Sequence, residues 1–313
     1  MQYTEGTAAV AAGATAAADA DAVVAAQAAV NAATTAAGLE AAQDALTAAQ
    51  EAAAESAAVA AVDDSTDVIS RARFQMDAST TTDAGIGLNV RTRIQIEENG
   101  TNDSNGARFG LTYEGIAVNF GNINGVIESA PNLYMSTNSG GIGLEGQSWS
   151  NLAANNAGGS FGWTAYSSGG AGATNGVEVI YSANGLGLHV HSTEGSTGYG
   201  ANYTISNITL AAAREDFDNG DEITFASAGV ALGMGKVAVS WADTNGVTKS
   251  VIAAGYDMAP GANIHAFIGS EDAGESYGVG VNYGLGGGAS FDAGVDADAA
   301  GRTRISAGLF FSF

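Results

Sequence analysis

Most basic side chains of this sequence are arginines that recur at every second position. Successive side chains of a β-strand point to opposite faces, so residues two apart share a face. Seven of the ten basic residues follow this rule on one face of the predicted strands, namely Arg71, Arg73, Arg91, Arg93, Arg108, Arg302 and Arg304. Seven guanidinium groups without partners would be very costly to desolvate in a dry core. The pattern therefore predicts a wet interior whose fixed positive charge acts on passing solutes.

Few other residues could do chemistry. His189 and His191 share a face and could contact a metal ion, although histidines in a water-filled lumen are more often simply solvated. Asp216, Asp218 and Asp221 could bind a divalent cation such as Ca²⁺, or this acidic stretch could merely be hydrated. No Ser/His/Asp grouping with a catalytic arrangement stands out. The sequence therefore predicts neither an enzyme nor a required cofactor.

The element that must carry such side chains is clearest in residues 302–313. Small and apolar side chains occupy one face of this predicted strand, while arginine, serine and glycine dominate the other. A strand that has lipid on one side and a watery lumen on the other reads in this way. The last residue is aromatic, Phe313. The stretch predicts a strand of a transmembrane β-barrel.

Composition narrows the classes of protein. Ten Lys plus Arg against 33 Asp plus Glu give a net charge of −23, which argues against nucleic acid as a partner. The absence of cysteine is compatible with an oxidising compartment. No strongly apolar run reaches the length of a membrane helix. Residues 1–5 do not resemble a signal peptide, so we expect the chain to be in mature form or to lack its true beginning.

Residues 6–62 form an alanine-rich arm that differs from the rest of the chain. Alanine is the best helix former, and Gly38 separates two helix-compatible runs in which small apolar residues recur every seven positions. This pattern predicts a helical hairpin with a thin alanine seam. The alternative is low-complexity disorder, because small side chains bury little area.

From residue 68 onward the polarity alternates with period two, and fifteen strands are predicted. Short neutral turns alternate with longer acidic loops, which membrane barrels place on opposite rims, so we expect the acidic rim to be extracellular. Single-chain bacterial barrels have an even number of strands. Residues 1–5 are therefore predicted to supply part of a first strand, with the arm inserted in the first extracellular loop and residues 63–313 completing the barrel. A free-standing helical N-terminus is the alternative.

The regular strands are interrupted by a long Gly/Asn/Ser-rich loop at about 123–175. A loop of this length within a regular β protein is usually functional or disordered. It begins beside the arginine-bearing strands, so we expect it to fold inward and to present Glu128 and Glu145 to the arginines. Such opposed charges would set up a transverse field across a narrow aperture. The alternative is that some arginines, Arg302 first among them, only face solvent at strand ends.

Four stretches carry a resemblance to a known family: 69–77, 81–88, 109–122 and 309–313. Together they resemble the Gram-negative general porins, which are sixteen-stranded and trimeric. The resemblance implies a homotrimer in the outer membrane, surrounded by lipid and lipopolysaccharide, with a passive pore narrowed by the third loop. It also implies that the barrel-assembly machinery reads Phe313 as a signal. The short first strand and the alanine-rich arm depart from the family pattern.

The sequence thus predicts an all-β transmembrane antiparallel barrel of about sixteen strands. Its expected function is passive diffusion of ions and small hydrophilic solutes. Acidic loops and inward carboxylates, including Glu178, Asp257, Asp292 and Asp296, outnumber the arginines, so we expect a weak preference for cations. The alternative function is a surface structural or adhesion protein that uses the barrel as a membrane anchor and the arm for interactions.

Overall fold

The computed structural model describes residues 2–5, 24–25, 27–28, 31, 41, 43–47, 65–68, 70–97, 103–134, 162–167, 175–271, 274–299 and 301–312. The chain divides into two compact units, Met1–Tyr3 with Thr66–Phe313, and Thr4–Ser65. The described residues between 24 and 47 are α-helical. The rest of the predicted helical arm lies outside the described residues. Within the described part of the chain, no helix is long and apolar enough to cross a membrane.

The larger unit is built from β-strands, and the described residues form fifteen long strands and three short ones. In chain order they are β1 (Gln2–Glu5), β2 (Ser65–Asp67), β3 (Arg71–Thr81), β4 (Gly87–Glu97), β5 (Asp103–Ser104), β6 (Arg108–Tyr113), β7 (Ile116–Asn122), β8 (Asn175–Ala183), β9 (Leu186–Thr193), β10 (Ser196–Ile205), β11 (Ile208–Phe217), β12 (Glu222–Ala231), β13 (Gly235–Thr244), β14 (Val247–Ala259), β15 (Ala262–Glu271), β16 (Gly274–Gly286), β17 (Ala289–Ala297) and β18 (Thr303–Phe311).

These strands form a single antiparallel sheet. β3 pairs with β4 and β4 with β6, and from β6 to β18 each strand pairs with the next along the chain. The short strand β1 pairs with β18, so the first strand of the chain meets the last. This is the antiparallel all-β arrangement that the alternating polarity predicts.

The two faces of the sheet differ in polarity, and the apolar face is the exposed one, as the sequence predicts. Along β9, Leu188 and Val190 are exposed, whereas His189 and His191 are buried. The same contrast recurs on β15, where Ile268 is 65% exposed. An exposed apolar outer face with a polar inner face reverses the usual arrangement of a soluble protein. It suits a sheet whose outer face contacts lipid.

Tight hairpin turns join strands at one rim. Asn184 and Gly185 connect β8 to β9 with φ angles of 51° and 83°. Positive φ at both central residues is typical of the type I′ hairpin, which glycine and asparagine adopt most readily. The opposite rim carries the interruptions at 98–102 and 123–174, but Asn245 and Gly246 form a tight turn there too, with φ angles of 56° and 83°. The sequence predicts short turns on one rim and long loops on the other, but the rim of long loops thus also carries a short turn.

The apolar core of the larger unit lies on the inner face of the sheet. Its principal cluster joins loop residues that follow β7 to the walls of β11, β12 and β13, and consists of Val126, Ile127, Leu133, Ala213, Ile223, Phe225 and Ala242. A second cluster on β13, β14 and β15 consists of Ala238, Val251, Ala253 and Phe267. The inner face of β11 to β15 thus carries packed apolar side chains, in contrast to the strands on which the sequence places the arginines.

Candidate functional site

The segment 123–134 leaves β7 and lies against the inner face of distant strands. Ile127 and Phe225 are both 0% exposed, and Val126, Leu133 and Ala242 are buried in the same cluster. Burial of side chains this large contributes on the order of 1.5–3 kcal/mol each to stability. The outgoing limb of the loop is therefore attached to the inner wall by hydrophobic packing.

Buried polar side chains hold the start of the same limb. Glu178 accepts a hydrogen bond from the backbone N–H of Gly125 at 2.9 Å, and His191 Nδ1 accepts one from the N–H of Val126 at 3.0 Å. His189 Nε2 lies 3.1 Å from Glu178 Oε2. The two histidines are thus partners of the loop and of a neighbouring carboxylate. Buried backbone N–H groups need such partners, and these side chains supply them.

The far end of the limb is held on β12 and β13. The Ser227 hydroxyl donates to the carbonyl of Pro131 at 2.7 Å, and Asn132 Nδ2 donates to Ser227 Oγ at 3.2 Å. Ser240 Oγ donates to the carbonyl of Asn132 at 3.3 Å. At Gly229 a Cβ atom would collide with the Asn132 side chain, so the glycine gives the loop room to approach the wall.

The return limb, 162–167, is anchored by Glu215. Thr164 donates to this carboxylate from its hydroxyl at 2.5 Å and from its backbone N–H at 3.2 Å. Ser196 Oγ donates to it at 2.8 Å, and His191 Nε2 lies 3.4 Å from it. Glu215 is 0% exposed. Glu215 directly precedes the acidic stretch that contains Asp216, but it lies within β11, whose inward face carries its side chain beneath the loop.

The predicted acidic residues of the loop have different outcomes. Glu128 accepts a hydrogen bond from Trp163 Nε1 at 2.9 Å and one from the Tyr134 hydroxyl at 3.1 Å. Its carboxylate thus connects the outgoing and return limbs. Glu145 lies outside the described residues.

Four of the predicted arginines share the inner face of β3, β4 and β6. Arg91 forms an ion pair with Asp77 on the neighbouring strand at 2.7 Å and lies opposite Arg108 in the register of β4 and β6. Arg93 Nε donates to Gln75 at 2.6 Å, and the matching bond from Arg73 Nε to Gln95 is 2.7 Å. Arg73, Arg91 and Arg93 are each held on the wall by a hydrogen bond to the adjacent strand.

Two of these arginines also contact the return limb of the loop. The guanidinium carbons of Arg93 and Arg108 lie 4.8 Å and 5.4 Å from the ring centroid of Tyr166. Arg108 Nη1 donates to Asn124 Oδ1, on the outgoing limb, at 2.7 Å. Arg93 and Arg108 are therefore in direct contact with the loop.

The other predicted arginines lie elsewhere on the inner face. Arg304 pairs with Asp296 at 2.6 Å, and Arg302 pairs with Asp298 at 2.9 Å, so both are matched by carboxylates on or just after β17. Arg71 begins β3, opposite Glu97 at the end of β4. The predicted assembly signal, Phe313, lies outside the described residues.

The three carboxylates considered for calcium have separate partners. Asp216 pairs with Arg214 at 2.7 Å, and Asp221 accepts hydrogen bonds from Asn219 and Asn245 at 2.7 Å and 2.8 Å. Among the residues that the structure describes, which include Asp218 and both histidines, no three His, Cys, Asp or Glu side chains converge as a metal site requires. The geometry of this rim gives no support to a calcium site.

An antiparallel sheet with an apolar outer face, an ionisable inner wall and a loop on that wall defines a transmembrane β-barrel channel. The family comparison agrees with this class. The chain belongs to the Gram-negative porin family, whose model matches residues 6–303. The resemblance inferred from the sequence is confirmed.

Individual relatives support the same conclusion. A porin from Fuscovulum blasticum is 25% identical over 280 residues, which cover 80% of this chain and 92% of that protein. A mutant of the Rh. blastica porin superposes with a TM-score of 0.67 at 24% identity, covering 78% of this chain and 91% of the other. A triple mutant of the Rhodopseudomonas blastica porin gives 0.68 at 24% identity, covering 82% and 93%.

These findings establish the class, the fold and the location of the protein. It is a porin channel of the Gram-negative outer membrane, built as a β-barrel. The predicted all-β fold, outer-membrane location and porin class are confirmed. Porins are channels rather than enzymes, in agreement with the lack of a catalytic grouping in the sequence.

Proposed function

We propose that this porin is a passive diffusion channel for ions and small hydrophilic solutes, narrowed by its third loop. The observation that carries the proposal is the attachment of both loop limbs to the inner face of the barrel. The outgoing limb packs on Phe225, and the return limb is bound to Glu215. A loop held at both limbs reduces the open cross-section and stays in place while solutes pass.

Charge at the narrowing would select among polar solutes. The positive side of the narrowing consists of Arg93 and Arg108, which contact Tyr166, together with Arg73 and Arg91. Glu128 supplies a carboxylate on the loop. Opposed charges across a narrow opening orient dipolar, hydrated solutes and disfavour apolar ones. Arg302 and Arg304 are already matched by carboxylates of β17 and its following turn. We therefore assign them to the wall rather than to the narrowing.

Single-channel recording in planar lipid bilayers tests the proposal. We expect discrete conductance steps and uptake of small neutral sugars that falls with solute size. A reconstituted protein that is correctly folded but conducts no ions would contradict the proposal. Deletion of residues 7–62 serves as a control. This arm lies within the separate unit Thr4–Ser65, so we expect the conductance to be retained. Loss of surface binding without a change in conductance would instead favour the adhesion function.

We also propose that the protein works as a homotrimer in contact with lipid and lipopolysaccharide, inserted by the barrel-assembly machinery. Apolar outer residues on the early strands, such as the stacked pair Phe109 and Phe120 at 5.6 Å, offer a surface for packing between subunits. Gel mobility with and without boiling tests the assembly. A heat-resistant slow band supports the trimer, and a single monomer band under both conditions contradicts it.

A further inference from the structure

Tyr166 is the point at which the return limb of the loop contacts the arginines. Its ring lies within the distance at which a cation interacts with an aromatic face, about 6 Å, of both Arg93 and Arg108. These two arginines come from different strands, β4 and β6. One aromatic side chain therefore contacts two fixed charges of the same wall.

The ring, rather than the hydroxyl, makes this contact. The buried Tyr166 hydroxyl has no hydrogen-bond partner among the described residues. Buried polar groups are usually hydrogen-bonded, and a hydroxyl without a partner adds nothing to stability. Phenylalanine at this position would therefore keep the interaction with both guanidinium groups, which makes it a matched control.

Both limbs of the loop act on Arg108. Asn124 accepts a hydrogen bond from its Nη1 at 2.7 Å, while the guanidinium carbon lies 5.4 Å from the centroid of the Tyr166 ring. Arg91 lies opposite Arg108 in the strand register, so like charges crowd this part of the wall. Like charges repel one another, and without contacts to the loop these side chains would spread into the water of the lumen.

We propose that Tyr166 is a positioning residue that sets the ion selectivity of the channel through Arg93 and Arg108. The ring attracts both guanidinium groups and occupies space beside each of them, so anions reach the charges less readily. Without the ring, the guanidinium groups are open to water and attract anions more strongly. This inference rests on the proposed function, since selectivity has meaning only for a conducting pore.

The test measures reversal potentials in a KCl gradient for the full-length protein. We expect Tyr166→Leu, which keeps much of the bulk but removes the aromatic face, to lower the cation-to-anion permeability ratio by about twofold or more, as the strength of an exposed cation–π contact implies. Tyr166→Phe should retain the ratio of the unmodified protein. Tyr166→Trp presents a stronger aromatic face and should shift the ratio in the opposite direction from the leucine variant.

A double-mutant cycle separates action through the arginines from a general effect on the loop. In a background carrying Arg93→Ala and Arg108→Ala, the leucine substitution should no longer change the ratio. The inference is overturned if the leucine effect persists in that background, if phenylalanine behaves as leucine does, or if leucine and tryptophan shift the ratio in the same direction. If the leucine variant does not assemble, the tryptophan and phenylalanine variants still decide the matter. Absence of conductance in the unmodified protein would instead refute the proposed channel.

Discussion

At the scale of single residues, the arginine wall contains an exposed ion pair, between Asp77 and Arg91. The carboxylate of Asp77 is 49% exposed and the guanidinium of Arg91 is 33% exposed. An ion pair this open to water contributes about 0–1 kcal/mol to stability. We expect its effect on function to be larger, because Asp77 offsets one positive charge at the place where Arg91 lies opposite Arg108.

Removing the Asp77 charge should therefore change selectivity more than stability. We expect Asp77→Asn to shift the reversal potential toward anions, since the wall gains one net positive charge. Asp83→Asn is the matched control, because it makes the same change of charge in the exposed turn between β3 and β4. Reversal potentials of the two variants in the same gradient provide the comparison. An equal shift in both would mean that net charge alone, and not its place on the wall, controls the ions.

Removing two arginine side chains should widen the pore. We expect the double variant Arg73→Ala with Arg93→Ala to fold normally, because a side chain in a wet lumen loses little buried packing. Single-channel conductance, uptake of larger neutral sugars and cation preference should all rise. Conductance recording and liposome swelling measure these effects.

The control for the arginine variants lies on the opposite face of the same strand. Val90→Arg puts a charge on the lipid-facing side of β4 and should cost about 2–4 kcal/mol near the middle of the bilayer. Folding yield into lipid vesicles measures this loss. If the arginine double variant misfolds while Val90→Arg assembles normally, the assignment of inner and outer faces is reversed, and the proposed pore with it.

At the scale of elements, the loop after β7 behaves as an inner lining of the barrel. It is joined to the wall by one apolar cluster and by hydrogen bonds to strands that are far apart in sequence, including β8, β9, β11 and β12. Because the backbone hydrogen bonds of the sheet do not depend on these contacts, the loop can be loosened while the barrel is kept.

Phe225→Ala should loosen the loop without unfolding the barrel. Replacing a buried phenylalanine by alanine in a core removes about 3–5 kcal/mol of stabilisation, and here the lost contacts are those of Val126, Ile127 and Leu133. We expect larger and noisier single-channel currents with an unchanged circular dichroism spectrum. Phe291→Ala, on the outer face of β17, is the control and should leave the currents steady. Steady currents of ordinary size from Phe225→Ala would show that the loop does not depend on this packing.

At the scale of the whole molecule, the acidic residues are divided between the rim and the inner wall. Of the four inward carboxylates expected to attract cations, Glu178, Asp292 and Asp296 are buried, and only Asp257 is exposed. Glu178 accepts a hydrogen bond from the loop, and Asp296 forms an ion pair with Arg304. We therefore expect the exposed acids at the rim, such as Asp218, to contribute more to cation attraction than the inner wall does.

This division predicts a weak cation preference that depends strongly on salt. Charges at an exposed rim act within a Debye length, about 10 Å at 0.1 M and about 3 Å at 1 M salt. We expect the permeability ratio to favour cations at low salt and to approach that of free diffusion at 1 M. Reversal potentials over this range test the expectation. Anion selectivity at low salt, or a cation preference that does not change with salt, would contradict it.

The sequence by itself determined the strands of this porin and the face on which each side chain lies. The two faces of a strand follow from local geometry, because side chains alternate with period two whatever the rest of the chain does. Val90 and Arg91 could be assigned to opposite faces for this reason. The porin class followed from the order of such strands and from the long interruption after β7. The boundaries of the arm and the roles of Glu145 and Phe313 remain predictions, because they fall on residues outside the described part of the chain.

Only the tertiary structure decided which inner side chains meet one another. Val126 and His191 are 65 residues apart, and Thr164 and Glu215 are 51 apart. No local pattern encodes such pairs, because they depend on the strand register and on where the loop crosses the inner face. For the same reason, two histidines that the sequence offered as possible metal ligands instead hold the loop and a neighbouring carboxylate. Tyr166 had no signal in the sequence at all, since its place over two arginines exists only once the loop has folded inward.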